Sequence, residues 1–224
     1  MARRLSDETK KKRKMGTGEG KDYIPYITTS EFNSRGTTSV IKDWKTGRGV
    51  HCLSQGETLW YYILRWDDNN VDIREQYPLD VDKTVAIAEE MGIQYPRNKA
   101  QVMTTDFLVT EADGTLHAYS VKSDEFISER KLQLLCIEKM YWNKQGIKFD
   151  VLLKRNVNKV LAHNIRLVTE FYDSSYVFDW YSAFKHKIAI KELKIDIEHA
   201  ELTADMARQI IRYEVDDINE VKTK

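Results

Sequence analysis

The chain has 224 residues, 42% of them hydrophobic and 11% aromatic, which is enough for a real core and excludes global disorder. Its 35 basic and 35 acidic side chains cancel, but unevenly: residues 1–21 carry eight basic and three acidic ones, residues 192–220 three basic and nine acidic. The asymmetry points to two ends with different partners, the basic one suited to nucleic acid. Two cysteines, Cys52 and Cys136, lie in apolar stretches without a CxxC or Cys/His cluster, so neither zinc nor a disulfide framework is indicated.

Residues 1–22 are polar and charged, with glycines at 16, 18 and 20, and they lack the apolar segment of a secretory signal. They read as a mobile basic arm. TTSVIKDWKTGRGVHCLS reads as a β-hairpin turned at Thr46-Gly47. In SQGETLWYYILRW, Leu59, Tyr62, Ile63 and Trp66 recur at helical spacing, which predicts a helix over 54–66. NNVDIREQYPL alternates as a strand closed by Pro78, and a helix over 82–92 ends at Gly92. A second hairpin, 102–110 and 115–122, turns at Asp113-Gly114.

SERKLQLLCIEKMYWNKQ carries Leu132, Leu135, Cys136, Lys139 and Met140 on one stripe, a helix with Gly146 beyond its end, and FDVLLK at 149–154 reads as a buried strand. This order predicts an α/β fold, a mixed sheet flanked by helices. After Arg155 the pattern becomes helical, over 158–171, 176–186 and 203–212, which predicts a small, mainly helical C-terminal domain. No apolar run approaches the length of a membrane span, so the chain reads as soluble, without a membrane partner, and cytoplasmic.

The second hairpin poses the chemical question. Asp106 sits within one apolar arm and Lys122 ends the other. A two-residue loop at Asp113-Gly114 would set Asp106 opposite Val121, facing away from Lys122; a three-residue loop, 113–115, would pair Asp106 with Lys122. The pair is either a structural ion bridge or part of a site. Glu57, three residues after Ser54, either completes a capping box on the Ser54 amide or points across the sheet. Two acids and a lysine suit phosphodiester hydrolysis, because carboxylates hold Mg²⁺ and a lysine orients or deprotonates the attacking water or neutralises transition-state charge.

Glu…Asp…x-x-Lys in this order of elements resembles the PD-(D/E)xK, restriction-endonuclease-like nucleases. GKDYIP at 20–25, DIREQYPL at 72–79, QVMTTDFLV at 101–109 and YW at 141–142 resemble the TnsA-like endonuclease subunits of heteromeric cut-and-paste transposases. The resemblance implies a nuclease domain over 23–155, between the arm 1–22 and a partner-binding domain 156–224. It implies Glu57 and Asp106 as ligands of Mg²⁺ (Mn²⁺ substituting), the Val121 carbonyl as a further ligand, and Lys122 as the catalytic lysine.

The family often carries Gln or Glu where Ser120 stands, and serine is a poor Mg²⁺ ligand. Glu138 matches an additional acidic position, though a solvated helix charge is the preferred reading of it; Asp67, Asp68 and Glu75 are weaker candidates for a second metal. The implied activity is nicking at the 5′ ends of a transposon, on double-stranded DNA. Implied partners are a DDE-type transposase and a regulatory ATPase bound through the C-terminal domain, with the protein nucleoid-associated when active. Lys10, Lys11, Lys12, Arg13 and Lys14 read either as a solvated tail or as phosphate contacts for DNA. Two alternatives remain open: a stand-alone restriction-like or repair nuclease, and a non-catalytic DNA-bound assembly module whose acids only cap and pair.

Overall fold

The computed structural model describes residues 4–31, 38–95, 101–123 and 128–211. The chain divides into two compact units, Met1–Val157 and Asn158–Lys224. In the first, α1 (Asp7–Lys12) precedes a hairpin of β1 (Ser39–Lys42) and β2 (Gly49–Cys52). Then follow α2 (Gln55–Trp66), β3 (Asn70–Pro78), α3 (Val81–Glu90), β4 (Thr104–Glu111), β5 (Leu116–Lys122), α4 (Glu129–Asn143) and β6 (Lys148–Leu153).

A four-stranded sheet runs in the order β3-β4-β5-β6, antiparallel except for the parallel β5/β6 pair, for which α4 is the crossover. The β1–β2 hairpin forms a separate two-stranded sheet rather than joining it. One cluster joins Leu108, Ala118 and Phe149 to Ile87 of α3 and to Ile137, Tyr141 and Trp142 of α4. Another joins Phe107, Val109 and Val121 to Tyr61 of α2 and to Ile41, Val50 and Cys52 of the hairpin. A mixed sheet flanked by helices is the restriction-endonuclease-like fold expected from the sequence.

Three local expectations change. In α2 the residues Leu59, Tyr62, Ile63 and Trp66 are only half-buried, while Gly56, Glu57, Tyr61 and Arg65 are turned inward. A polar network replaces the apolar stripe: Tyr61 donates to Asp43 Oδ2 at 2.5 Å, and Arg65 Nε lies 2.9 Å from the same oxygen. In α4 the buried residues are Ile137, Glu138, Tyr141 and Trp142, whereas Leu132 is exposed. The helix is thus rotated from the expected stripe, and the rotation carries Glu138 inside.

The third change concerns the expected mobile arm. Its described part, from Arg4 on, is folded. Ser6 caps α1 by accepting the Thr9 N–H, and Lys10 is fully buried, with Nζ 2.9 Å from Glu31 and donating to the Tyr26 carbonyl at 2.7 Å. Tyr23 Oη donates to the Glu75 carbonyl and the Tyr26 N–H to the Gln76 carbonyl, so this segment is strapped along β3. Gly16 takes φ +80, and a Cβ there would stand 2.3 Å from Pro78 Cγ, so the strap passes hard against the end of β3. Glycines read as loosening the arm instead allow its close approach.

The C-terminal unit holds α5 (Lys159–Thr169), α6 (Trp180–Ala189) and a helix at 204–211. Asn164 of α5 is fully buried; its amide donates to the Ile197 and Ala200 carbonyls and its oxygen accepts the Leu202 N–H. With Leu202 and Ala207 buried, these bonds tie the described part of the acidic segment into its own unit. Val215 and the acids beyond residue 211 lie outside the described residues. Among the described residues no helix is long and apolar enough to cross a membrane.

Candidate active site

The β4–β5 connection uses neither loop considered from the sequence. The register pairs Phe107 with Tyr119 and Thr110 with Leu116, and the Glu111 N–H donates to the Thr115 carbonyl. The loop is therefore Ala112-Asp113-Gly114, with Gly114 at φ +86. Continued inward, this register sets Asp106 opposite Ser120, not Lys122. Neither pairing considered from the sequence is realised, yet Asp106 and Lys122 share a face, because Ser120 and Lys122 are two residues apart on a strand.

Asp106 anchors the site. Its Oδ2 accepts the Val121 N–H at 2.6 Å and the Ser120 hydroxyl at 3.3 Å, and lies 3.6 Å from Lys122 Nζ. Lys122 Nζ in turn donates to Ser120 Oγ at 2.5 Å. Ser120, almost wholly buried, thus relays between lysine and aspartate. Burial pushes the Lys122 pKa down, but the carboxylates of Asp106, Glu138 and Glu57 outweigh it, and the ammonium is held above its ordinary value.

Glu57 arrives from the first turn of α2. Ser54 accepts the Glu57 N–H as N-cap, but the carboxylate binds the Leu53 N–H at 2.8 Å and the Ser54 hydroxyl at 2.8 Å, not the Ser54 amide. Capping and site geometry coexist in one side chain. Gly56 permits this, since a Cβ there would stand 3.2 Å from Val121 Cγ1 of β5. Burial, then the nearby Asp106, pushes the Glu57 carboxyl up to about 7.

Glu138 is a buried acid, not a solvated helix charge. Trp142 Nε1 donates to Thr105 Oγ1 at 2.7 Å, and Thr105 donates to Glu138 Oε1 at 2.8 Å, fixing the carboxyl. Burial raises it to about 7, the Lys122 ammonium opposing and Asp106 adding. Glu57, Lys122 and Glu138 open on a cleft of about 530 Å³, whose other walls include Lys131, Lys154 and Leu135.

Sequence reasoning missed Gln76. It is nearly fully buried, and its Nε2 lies 3.2 Å from Glu57 Oε2 and 3.4 Å from Asp106 Oδ1. Its backbone sits at φ +49, in a region that sequence normally marks with Gly or Asn, so nothing in REQYPL flagged it. The other candidates fall elsewhere. Glu75 is buried and binds Arg48 and the His51 N–H. Asp68 pairs with Lys45 at the surface, and Asp67 is the C-terminal cap residue of α2.

Lys10, engaged with Glu31 and Tyr26, is not a phosphate contact, while Lys11, Lys12, Arg13 and Lys14 remain exposed. His117 of β5 is buried. It stacks on Tyr119, with Nε2 2.8 Å from Asp150.

Among the described residues no three of His, Cys, Asp and Glu converge as a ready metal-ligand group. What converges is a pair of carboxylates, Glu57 and Asp106, joined through the Gln76 amide. That oxygen-only donor set suits a hard divalent cation. The Glu57 proton, held by burial and a neighbouring negative charge, is what a cation would displace.

Comparison with known proteins converges on the same region. A family model described as TnsA-like endonuclease N terminal matches residues 67–154, a span that includes Gln76, Asp106, Lys122 and Glu138. The chain is 38% identical over 155 residues to the transposon Tn7 transposition protein TnsA of Escherichia coli. That match covers 67% of this chain and 57% of the relative, so the chain spans little more than half of that protein's length. Over residues 67–154, the stretch that carries Asp106, Lys122 and Glu138, the chain has a TnsA-like endonuclease N-terminal domain.

Proposed function

We propose that the protein is the metal-dependent DNA endonuclease subunit of a heteromeric transposase, nicking the 5′ ends of a transposon during excision. The observation that carries this reading is the convergence of Glu57, Asp106 and Lys122 from α2, β4 and β5, with Glu57 and Lys122 opening on the cleft. Similarity to a transposition protein supports the biological setting.

Glu57 and Asp106 would hold Mg²⁺ or Mn²⁺, with the Val121 carbonyl as a further oxygen. Bound there, the ion supplies Lewis acidity toward a phosphate and a water of lowered pKa. Lys122, kept protonated by three carboxylates, acts through charge and not as a base: it faces the negative charge that grows on the phosphorus oxygens. Ser120 fixes its ammonium and takes no ligand role. Lys131 and Lys154 at the cleft wall suit the phosphate backbone of duplex DNA. A DDE-type transposase would make the 3′ cuts, and a regulatory ATPase would dock on the C-terminal unit, all acting on the nucleoid in the cytoplasm.

The test is reconstitution with the DDE partner, Mg²⁺ and a donor plasmid. Lys122→Ala should abolish 5′ nicking while 3′ cleavage continues, leaving the transposon joined through one strand at each end. Its melting should fall by no more than about 1 kcal/mol equivalent. Clean double-strand excision by Lys122→Ala would refute the assignment, and efficient cutting of plain DNA by the isolated wild type would favour a stand-alone nuclease.

A further inference from the structure

Gln76 stands in a position that its sequence context does not explain. It faces Asp106 across the β3/β4 pair, between Glu75↔Phe107 and Tyr77↔Thr105. Its backbone is left-handed, φ +49, a conformation that strains a non-glycine residue. The surrounding structure imposes that conformation, for the strap donates the Tyr26 N–H to the Gln76 carbonyl.

The side chain, 2% exposed, directs Nε2 at one oxygen each of Glu57 and Asp106, while Oε1 accepts the Thr104 hydroxyl at 3.1 Å. The amide thus presents its NH₂ to the two carboxyl groups and its oxygen to a hydroxyl donor. Those two carboxyl groups are the ones that would hold a divalent cation.

We propose that Gln76 belongs to the metal centre as a cation-dependent amide switch. Without an ion its NH₂ bridges Glu57 and Asp106 and offsets their repulsion. With an ion the amide turns over and offers Oε1 as an additional oxygen ligand. Thr104 makes the turn possible: a hydroxyl both donates and accepts, so it keeps a hydrogen bond in either orientation, donating to Oε1 before and accepting from Nε2 after. An amide carbonyl is an ordinary oxygen ligand for Mg²⁺-type ions, and β3 thereby contributes to a centre otherwise built from α2, β4 and β5. No bond is made or broken beyond hydrogen bonds and coordination. The inference rests on the reading of Glu57 and Asp106 as metal ligands.

The experiment uses the full chain and Mn²⁺ alone, with binding read by calorimetry or by the Mn²⁺ spin signal, and melting read in chelator. Gln76→Gly relieves the left-handed strain and removes the amide. Mn²⁺ should bind it ~10-fold or more weakly than wild type, while its melting in chelator stays within a few degrees. Gln76→Glu restores an oxygen but not the NH₂. It should bind Mn²⁺ at least as tightly as wild type, yet melt lower in chelator, because a third carboxylate then faces two. Should Gln76→Gly fold poorly, Gln76→Asn, which tolerates φ > 0 but is too short to bridge, takes its place with the same weakened binding.

Wild-type Mn²⁺ affinity in Gln76→Gly or Gln76→Asn overturns the switch. So does equal weakening in Gln76→Glu, which would make the residue merely structural. Asp106→Ala separates the two levels of the argument: if it too binds Mn²⁺ like wild type, the metal centre itself is misplaced and the switch falls with it.

Discussion

At the scale of single residues, Glu57 and Glu138 set the pH response of the metal-free protein. Both carboxyls stand at about 7 in the folded chain against 4.5 for the free group. Between those values the folded chain holds protons that the unfolded chain has released. The stability they contribute is therefore full at acid pH and is lost as pH rises through about 7. Glu138→Gln cannot ionise, so its stability should fall less steeply than wild type from about pH 5 to about pH 8 in chelated thermal melts. An unchanged slope would mean that Lys122 already holds Glu138 ionised. The acid was legible in the sequence as a position, but its protonation depends on α4 turning inward and on Thr105 and Trp142, two residues from different elements.

Lys10 shows the element scale. A run of five basic side chains reads as solvated, because in isolation each charge is best left in water. α1 instead buries the first member against Glu31, with side-chain exposures of 0% and 3%. Lys10→Ala would leave a buried carboxylate without its partner, and the melt should lose about 3 kcal/mol, the lower end for breaking a buried pair. Its DNA affinity at saturating folded protein should match wild type. A variant that melts normally but binds DNA with a shallower salt dependence would return Lys10 to the phosphate contacts. The strap matters beyond stability, since Tyr26 holds Gln76 beside the carboxylates.

The β4–β5 hairpin teaches a related lesson. A loop shifted by one residue kept Asp106 and Lys122 on one face only because Ser120 replaced Lys122 opposite the aspartate. Side-chain alternation was readable, but the loop's starting residue was not, since Gly114 accommodates several three-residue turns.

At the scale of the whole molecule, both apolar clusters of the nuclease fold lie inside Met1–Val157, and Asn158–Lys224 has a core of its own. On the proposed function, a protein ending at Val157 should therefore melt cooperatively and bind Mn²⁺ like the full chain, yet fail to co-purify with the proposed ATPase partner. Loss of cooperative melting would show that the second unit is needed for the first to fold. Removal of residues 200–224 alone should instead unfold the second unit, because Leu202 and the Asn164 bonds are then lost.

The sequence by itself determined the order of helices and strands from β1 to β6, the mixed sheet and the choice of Glu57, Asp106 and Lys122 as candidates, because period-two and period-3.6 patterns and a short motif are local properties of a chain. Tertiary structure decided which face of α2 and α4 is buried, the fate of Lys10, the register at Ser120, the place of Gln76 between Glu57 and Asp106, and the entry of Glu138 into the cleft. Each of these depends on a buried polar partner contributed from elsewhere in the chain. A hydropathy pattern treats such a side chain as solvent-facing, whereas in the fold the partner offsets its desolvation and turns it inward.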